Sequence, residues 1–294
     1  MRLALRGETE SSDSQASIAR LALLPGLCCQ AAGGDPAWAD EVAAAWLMCY
    51  TAAHLFDSVE DQDKPDLWWA NLGPGAAINV ASGLLQSTPL VLSQLHQRKE
   101  TQAVAVEVLV DFFINTLISG SGQHRDLVIT QPSLTEWVEI ASAKSGAPFA
   151  LACRSGARLA SADPIRLEAF SRFGRNLGML IQVLDDLEDF RNLQDPTASA
   201  LPPGLERSLP VVYSLEVGSS QIQERFQTAL HASADFPQAA NELIHLLDQC
   251  GAGLYLITEI ERYKAGALTA LEAATPEPGA GNMLSAYIHQ IDPE

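Results

Sequence analysis

The stretch QVLDDLED, residues 182–189, lies inside an apolar segment that runs from residue 170 to residue 191. Apolar residues recur in this segment at steps of three and four, which predicts a helix that is buried over most of its surface. Four polar side chains fall on one arc of about 100° around the axis of this helix. They are Gln182, Asp185, Asp186 and Asp189. The stretch therefore predicts a long buried helix with carboxylates along one edge.

Carboxylates at the edge of a buried helix need a counter-charge, because an unpaired buried anion is strongly unfavourable. No basic residue stands three or four positions from Asp185 or Asp189. A hard divalent cation fits this need, and Mg²⁺ in particular binds one or two carboxylates and completes its shell with water and substrate phosphate. The pattern therefore predicts magnesium binding at this edge of the helix.

A second acidic stretch, LFDSVED at residues 55–61, ends another apolar helical segment. On a helix, Asp57 and Asp61 repeat the spacing and angular positions of Asp185 and Asp189. Taken alone, an acidic run of this kind is usually a solvated helix end. As a pair, the two stretches are interpreted as matching halves of one site.

Helical periodicity recurs along the chain, and no segment shows convincing strand alternation, so an all-α fold is expected. A chain of 294 residues can bury a large core. We expect a flexible N-terminal segment over residues 1–14 and one helical domain over residues 15–294. The segment at residues 193–204 is rich in proline and serine, and its place just beyond the second acidic stretch suits a lid.

The composition excludes some classes of partner. The net charge is −18 and the pI is about 4.6, so nucleic acid and anionic membrane surfaces, which attract basic faces, are not expected partners. The five cysteines include no CxxC pair, which argues against a disulfide framework or a zinc site and indicates a reducing, cytoplasmic location. We also expect no signal peptide, no apolar run of membrane-spanning length and hence no integral membrane segment.

The two acidic stretches, the second of them preceded by a glutamine, are similar to the paired aspartate-rich motifs of the trans-isoprenyl diphosphate synthases, or polyprenyl synthetases. SGQHRDL at residues 121–127 resembles the GQxxDL segment of this family, and AKSGAPF at residues 143–149 resembles its KTGxLF segment. With weaker similarities between and around them, the resemblance extends in the same order over residues 24–215. The collinear order makes this resemblance much more specific than any one motif.

The resemblance implies an isoprenoid-synthase-type bundle of helices around a central apolar cavity, and Mg²⁺-dependent ionisation of an allylic isoprenoid diphosphate. It implies that Mg²⁺, as three ions, is bound by Asp57, Asp61, Asp185, Asp186 and Asp189. It implies substrate-binding roles for Gln123, Asp126, Lys144, Gln182 and Arg207. Lys144, as a point charge on the diphosphate, joins Asp57, Asp61, Asp185 and Asp186 as an expected catalytic residue.

The resemblance also implies a homodimer and an apolar tunnel. The tunnel is expected to be lined by Ala52, Ala53, Phe112, Phe149 and Leu180. Ala52 and Ala53 occupy positions where small residues leave room for longer chains in the family. The resemblance therefore hints at a chain longer than farnesyl.

Several positions depart from the family pattern. Ser58 stands where the first motif has its second aspartate. Basic residues that bind the second substrate, isopentenyl diphosphate, are replaced at Tyr50, at Glu206 and within residues 31–38 and 64–69. An anion pocket without these cations is expected to bind a second diphosphate poorly.

Three readings follow from the motifs and the departures. In the first, the chain is a prenyltransferase, either joining an allylic diphosphate to isopentenyl diphosphate or using another nucleophile such as an indole or a peptide. In the second, it is a terpene cyclase that ionises one long diphosphate. In the third, it is a non-catalytic subunit of a prenyl synthase, against which the intact DDLED stretch, Gln182 and Lys144 argue.

Overall fold

The described residues form α-helices joined by short turns. The computed structural model describes residues 21–60, 73–194, 200–202, 204–231 and 236–291. In chain order the helices are α1 (Leu24–Ala31), α2 (Asp40–Glu60), α3 (Pro74–Leu92), α4 (Ala105–Val128), α5 (Leu134–Ala141), α6 (Ala147–Arg158), α7 (Pro164–Asn192), α8 (Leu209–Val217), α9 (Ser220–His231), α10 (Phe236–Cys250), α11 (Ala252–Ala273) and α12 (Pro278–Gln290). Tighter 3₁₀ turns lie at Pro36–Ala39, Ser93–Gln97 and Leu205–Arg207, and a wider π turn lies at Ser142–Gly146. These residues contain no β-strand, which confirms the all-α prediction.

At two places in the fold, a helical segment starts with an aspartate followed by a proline. The Asp35 carboxylate accepts a hydrogen bond from the backbone N–H of Ala37 at 2.9 Å, ahead of the 3₁₀ turn that leads into α2. The Asp163 carboxylate accepts one from the N–H of Ile165 at 2.9 Å at the start of α7. In both places the aspartate side chain accepts from a backbone N–H that has no acceptor within the helical segment. The proline has no N–H and therefore needs no acceptor.

Helices α3 and α12 are not obvious from the sequence. Helix α3 is continuous over Pro74–Leu92 although it holds Pro89, which usually ends or kinks a helix, in its interior. Packing of α3 along α2 holds it together although the proline removes one backbone hydrogen bond. The sequence gives little sign of α12 because it has few large apolar residues, among which Leu284 and Ile288 are buried.

The long helix α7 forms the centre of the molecule and packs against α6 and α11. Its side chains Phe170, Phe173 and Leu177 are fully buried. A Cβ added to Gly174 or to Gly178 would lie 2.2 Å from a backbone carbonyl oxygen of the chain that crosses it. Only glycine therefore allows α7 to approach α6 and the π turn this closely.

Arg166 ties together the ends of two helices that are remote in sequence. Its guanidinium donates hydrogen bonds of 2.9 to 3.1 Å to the backbone oxygens of Ala31, Ala32, Ala274 and Thr275. These oxygens lie at the C-terminal ends of α1 and α11, where carbonyls lack helical partners and a positive charge is favoured. One side chain therefore donates to four carbonyls and links the C-terminal ends of α1 and α11 to α7.

Three described segments, Pro36–Glu60, Pro74–Gln97 and Ala105–Val128, are long and apolar enough to cross a membrane by length and composition. This corrects the expectation that no apolar run of such length exists, since a helix whose apolar residues are interrupted by a few polar ones can still reach this mean hydropathy. Of the 18-residue windows concerned, 39%, 22% and 22% are buried inside the fold. The absence of an integral membrane segment stays a prediction.

Two predictions fall partly or wholly outside the described residues. The segment expected to be flexible, residues 1–14, lies outside them, so the extent of the predicted domain, 15–294, stays a prediction. The proposed lid at residues 193–204 is described only in part, and its closure over the site also stays a prediction.

Candidate active site

Both acidic helices contribute to one cavity, whose volume is about 510 Å³. Its wall is formed mainly by α2, α4, α6, α7 and the π turn before α6. The predicted site residues that line it are Asp57, Gln123, Asp126, Lys144, Gln182, Asp185, Asp186, Asp189 and Arg207. Asp61 lies outside the described residues. The two acidic stretches thus face a common space, as their pairing predicted.

The described wall of the cavity has a strong excess of negative charge. It contains six carboxylates, those of Asp57, Glu60, Asp126, Asp185, Asp186 and Asp189. Its permanently charged basic groups are Lys144 and Arg207, and it also contains His124. Carboxylates at close quarters repel one another unless cations neutralise them. This donor set of hard oxygens suits Mg²⁺ in its chemistry.

The described residues contain no cluster of three or more His, Cys, Asp or Glu side chains that could hold a metal ion by themselves. This agrees with the way in which Mg²⁺ binds, since the ion takes one or two carboxylates and completes its shell with water and phosphate oxygens. Magnesium binding in this cavity stays a prediction.

Lys144 lies between two carboxylates at the rim of this acidic region. Its Nζ donates to Asp57 Oδ1 at 3.1 Å and to Asp126 Oδ2 at 2.5 Å. Burial lowers the pKa of Lys144, but Asp57 and Asp126 outweigh burial and raise it above its ordinary value. The ammonium group is therefore charged at neutral pH and stands where a cation stabilises two acidic groups. Its position in a π turn is typical of functional sites in helices.

Asp126 connects the two basic residues of the site. While its carboxylate accepts from Lys144, its backbone oxygen accepts from Arg207 Nη1 at 2.6 Å. Arg207 Nη1 also lies 3.7 Å from Asp126 Oδ1. Nearby, Gln123 Nε2 donates to Glu60 Oε2 at 2.9 Å and fastens α4 to the end of α2. The predicted substrate-binding residues of the GQHRDL segment thus hold other site residues in place.

Asp186 is the most deeply buried aspartate of the second motif, with 5% of its surface exposed. Its Oδ1 accepts from Gln182 Nε2 at 3.1 Å and its Oδ2 accepts from the backbone N–H of Leu209 at 2.6 Å. Burial raises the pKa of Asp186 to about 7, against the opposing effect of these two hydrogen bonds. Gln182 Oε1 in turn accepts from Ser145 Oγ at 2.7 Å.

The other end of the cavity is apolar and aromatic. Trp46 stacks on Tyr50 at 4.9 Å between ring centroids and meets Phe149 edge-on at 5.4 Å. The Trp46 indole N–H donates to the backbone oxygen of Pro148 at 2.7 Å. Such rings enclose a hydrocarbon without offering it competing polar groups.

Three of the five residues predicted to line the tunnel do not line the cavity. Ala53 and Phe149 line the cavity, but Ala52, Phe112 and Leu180 are packed in the hydrophobic core. Trp46 and Tyr50 were missed, although they precede Asp57 by eleven and seven residues, which puts them within about 20° of it on a helix. Following the helix face of Asp57 back towards the start of α2 would have identified both residues as part of the cavity wall.

His54 is a buried histidine that does not line the cavity. It is 8% exposed and packs edge-on against Tyr50 at 4.6 Å. Burial lowers its pKa to about 4, so it is neutral under ordinary conditions. It therefore contributes packing without charge.

Comparison with known proteins agrees with these features. The family model described as polyprenyl synthetase matches residues 21–247. A geranylgeranyl diphosphate synthase of Mycobacterium tuberculosis is 30% identical over 209 residues, which are 66% of this chain and 57% of that protein. The tryptophan prenyltransferase ComQ of Bacillus subtilis subsp. natto is 28% identical over 135 residues, 46% of this chain and 40% of that protein. The chain thus spans about half the length of these relatives.

A solved structure shows the same architecture. The geranylgeranyl pyrophosphate synthetase from Pyrococcus horikoshii superposes with a TM-score of 0.81 at 21% identity, covering 94% of this chain and 86% of that one. This confirms the isoprenoid-synthase-type helical bundle. With the family match extending over most of the chain, and the acidic helices facing one cavity, the chain belongs to the polyprenyl synthetase family.

Proposed function

We propose that this protein is a Mg²⁺-dependent prenyltransferase that ionises an allylic isoprenoid diphosphate. The observation that carries the proposal is the polarity of the cavity: six carboxylates and two basic groups lie along its wall together with an aromatic region around Trp46. In the reaction, the bond between the allylic carbon and the diphosphate oxygen breaks, and its electron pair leaves with the diphosphate. The allylic cation then forms a bond to a nucleophile, which loses a proton.

The chain's own residues divide this work between the two regions of the cavity. Asp57, Asp185 and Asp189, together with Asp61, are the proposed ligands of three Mg²⁺ ions. When bound, Mg²⁺ supplies Lewis-acid stabilisation of the departing diphosphate. Lys144 is placed to hold diphosphate oxygens as a point charge, since it is charged at neutral pH and lines the same space. The apolar wall keeps water from the cation.

A second candidate function is prenyl transfer to an acceptor that carries no diphosphate. Two observations favour it. The described cavity wall offers no permanent cations beyond Lys144 and Arg207, and both contact Asp126. The local similarity to a tryptophan prenyltransferase gives this class of acceptor a precedent among relatives. An indole or another electron-rich ring suits an aromatic wall better than a second anion does.

One incubation tests the function and the choice of acceptor. The purified protein is incubated with Mg²⁺ and geranyl, farnesyl or geranylgeranyl diphosphate, alone, with isopentenyl diphosphate, and with a tryptophan-containing peptide. We expect diphosphate release and a new prenylated product that depends on an added acceptor. A longer prenyl diphosphate identifies isopentenyl diphosphate as the acceptor, and a prenylated peptide identifies the second candidate.

The remaining outcomes contradict the proposal. Hydrocarbons or alcohols formed without an acceptor would indicate a terpene cyclase. No loss of diphosphate under any condition would indicate a non-catalytic subunit. A reaction mixture with EDTA in place of Mg²⁺ is the control, and turnover there would exclude the metal-dependent mechanism.

The protein is further proposed to be a cytoplasmic homodimer. Helix α4 exposes a continuous apolar strip formed by Val106, Val110, Phe113, Ile114, Leu117 and Ile118. A continuous exposed apolar strip is typical of an interaction surface. In a two-fold symmetric dimer, the strips of the two copies can pack on each other, so that one contact buries both. Burial against a second copy also explains why α4 is apolar enough to cross a membrane while little of it is buried within one chain.

Leu117→Asp is expected to convert the dimer into a monomer, because it places a charge in the middle of the strip. Leu117 is 74% exposed, so the change adds no strain within one chain. Leu254→Asp on α11 is the matched control, since Leu254 is 73% exposed outside the strip. Light scattering coupled to gel filtration measures the mass of each variant. A dimer that survives Leu117→Asp, or a wild-type monomer, would contradict this interface.

A further inference from the structure

Both oxygens of the Asp186 carboxylate accept a hydrogen bond from within the chain. One of its oxygens accepts from Gln182 at 3.1 Å and the other from the backbone N–H of Leu209 at 2.6 Å. Asp185 and Asp189, on the same edge of α7, are less buried. The two donors, together with burial, hold the Asp186 carboxylate in one orientation that is set by its contacts within the chain.

The hydrogen bond to Leu209 replaces a missing cap. Leu209 is the first residue of α8, and the Ser208 side chain before it makes no capping hydrogen bond and instead donates to the backbone oxygen of Leu205 at 2.7 Å. Asp186 supplies an acceptor from another helix to this buried N–H, which has no partner within α8, and a carboxylate at a helix N-terminus is favoured by the helix dipole. Asp186 therefore fixes where α8 begins relative to α7.

The residues just before α8 carry one of the two basic groups of the site. Arg207 stands two residues before Leu209 and donates to the backbone oxygen of Asp126 at 2.6 Å. The Asp126 carboxylate accepts from Lys144, and the next residue, Ser145, donates to Gln182 at 2.7 Å. Gln182 closes the circuit by donating to Asp186.

These contacts form a closed ring that is defined by Lys144, Asp126, Arg207, Leu209, Asp186, Gln182 and Ser145. It joins α4, the π turn, α7 and the start of α8. Five hydrogen bonds close it together with two short stretches of backbone, Lys144–Ser145 and Arg207–Leu209. Linked in this way, each member is more restricted than it would be in a separate pair. Both basic groups are thereby held against Asp126.

We infer that Asp186 is a positioning residue and not a metal ligand. It holds Gln182 directly, and it holds Arg207 through Leu209. The inference rests on the proposed function for the identity of the anion, a diphosphate. It corrects the role that the family resemblance implied for this aspartate. The geometry of the ring is independent of any ion.

The test compares Asp186→Asn, Asp186→Ala and Asp185→Asn in the full chain. In Asp186→Asn the amide oxygen of the new side chain can still accept from Leu209. The amide of Gln182 can rotate by half a turn. Its oxygen then accepts from the new NH₂ group, and its own NH₂ group donates to the hydroxyl of Ser145, which can act as an acceptor. Asparagine therefore preserves the ring without the charge, and alanine breaks it. Asp185→Asn removes a proposed ligand and leaves the ring intact.

Three measurements separate the roles. Mn²⁺ binding is followed by electron paramagnetic resonance, inorganic pyrophosphate binding with Mg²⁺ by calorimetry, and amide exchange over residues 204–209 by mass spectrometry. We expect Mn²⁺ affinity within about twofold of wild type in both Asp186 variants, and a loss of about tenfold or more in Asp185→Asn. In Asp186→Ala, pyrophosphate affinity is expected to fall about tenfold and exchange over residues 204–209 to rise, and Asp186→Asn is expected to restore both.

Either of two results overturns the inference. Mn²⁺ affinity that falls in Asp186→Asn as far as in Asp185→Asn would make Asp186 a ligand. Unchanged exchange over residues 204–209 in Asp186→Ala would show that it does not position Arg207. Exchange is measured without metal or substrate, so it tests the ring even if the wild-type protein binds neither Mn²⁺ nor pyrophosphate and the proposed function fails. If Asp186→Ala does not fold, Mn²⁺ affinity in Asp186→Asn still decides between ligand and positioning residue.

Discussion

Asp185→Asn is expected to slow diphosphate release from an allylic substrate by about 10²- to 10³-fold, the usual effect of removing one electrostatic contact to a developing anion. The change keeps the size of the side chain and removes its charge from the acidic edge of α7, where Asp185 lines the cavity. An amide is also a poor ligand for Mg²⁺ in place of a carboxylate. Release of diphosphate is followed by a coupled phosphate assay at saturating Mg²⁺. Asp57→Asn is expected to behave in the same way.

Glu188→Gln is the matched control for Asp185→Asn. It removes the same charge from the same helix, but Glu188 lies outside the arc that faces the cavity and is not part of its wall. We expect it to retain turnover within a few-fold of wild type, since its long-range effect is screened. Turnover retained in Asp185→Asn, or lost equally in Glu188→Gln, would remove Asp185 from the proposed metal site.

Gly178→Ala is expected to destabilise the fold by about 3 kcal/mol or more, at or beyond the upper end of ordinary overpacking. The new Cβ would lie 2.2 Å from Ser145 O, 2.8 Å from Ser145 C and 3.0 Å from Gly146 Cα, all of them backbone atoms. Because no flexible side chain can move aside, α7 and the π turn must separate. The separation would stretch the 2.7 Å hydrogen bond between Ser145 and Gln182 and displace the neighbouring Lys144. Urea unfolding and diphosphate release are both measured.

Gly83→Ala provides the control for Gly178→Ala. Gly83 lies in the interior of the exposed helix α3, and a Cβ there meets nothing within 4 Å. The substitution is expected to raise the free energy of unfolding by roughly 0.5 to 1 kcal/mol, because alanine favours a helix more than glycine. A variant Gly178→Ala that is as stable and as active as Gly83→Ala would show that the close approach of α7 does not hold the site together.

The acidic helices illustrate what could be predicted from the sequence. The arc of Gln182, Asp185, Asp186 and Asp189 follows from helical periodicity alone, and the structure places all four on the wall of one cavity. The all-α fold and the helix start at Asp163 follow from equally local signals. Local signals are sufficient here because a helix fixes which side chains share a face.

The contacts between helices could not be predicted in this way. Leu209 donates to Asp186, 23 positions away, and Arg207 donates to Asp126, 81 positions away. Helical periodicity gives no information about contacts between residues so far apart in the sequence. The π turn at Lys144 could not be predicted either, because a single extra residue in a helical turn leaves no regular trace in the sequence. The continuity of α3 through Pro89 depends on its packing against α2, which overrides the local preference of proline.

The hydrogen bonds from Arg166 to four backbone carbonyls have a consequence for the order in which the chain folds during translation. Two of them belong to Ala31 and Ala32, near the beginning of the chain, and two belong to Ala274 and Thr275, near its end. The backbone N–H of Glu277 also donates to Ala31 O at 2.8 Å. During synthesis on the ribosome, α1 is translated before the other described helices, but it obtains these partners only after nearly all of them have been translated. The earliest of the described helices is thus among the last to be fully secured.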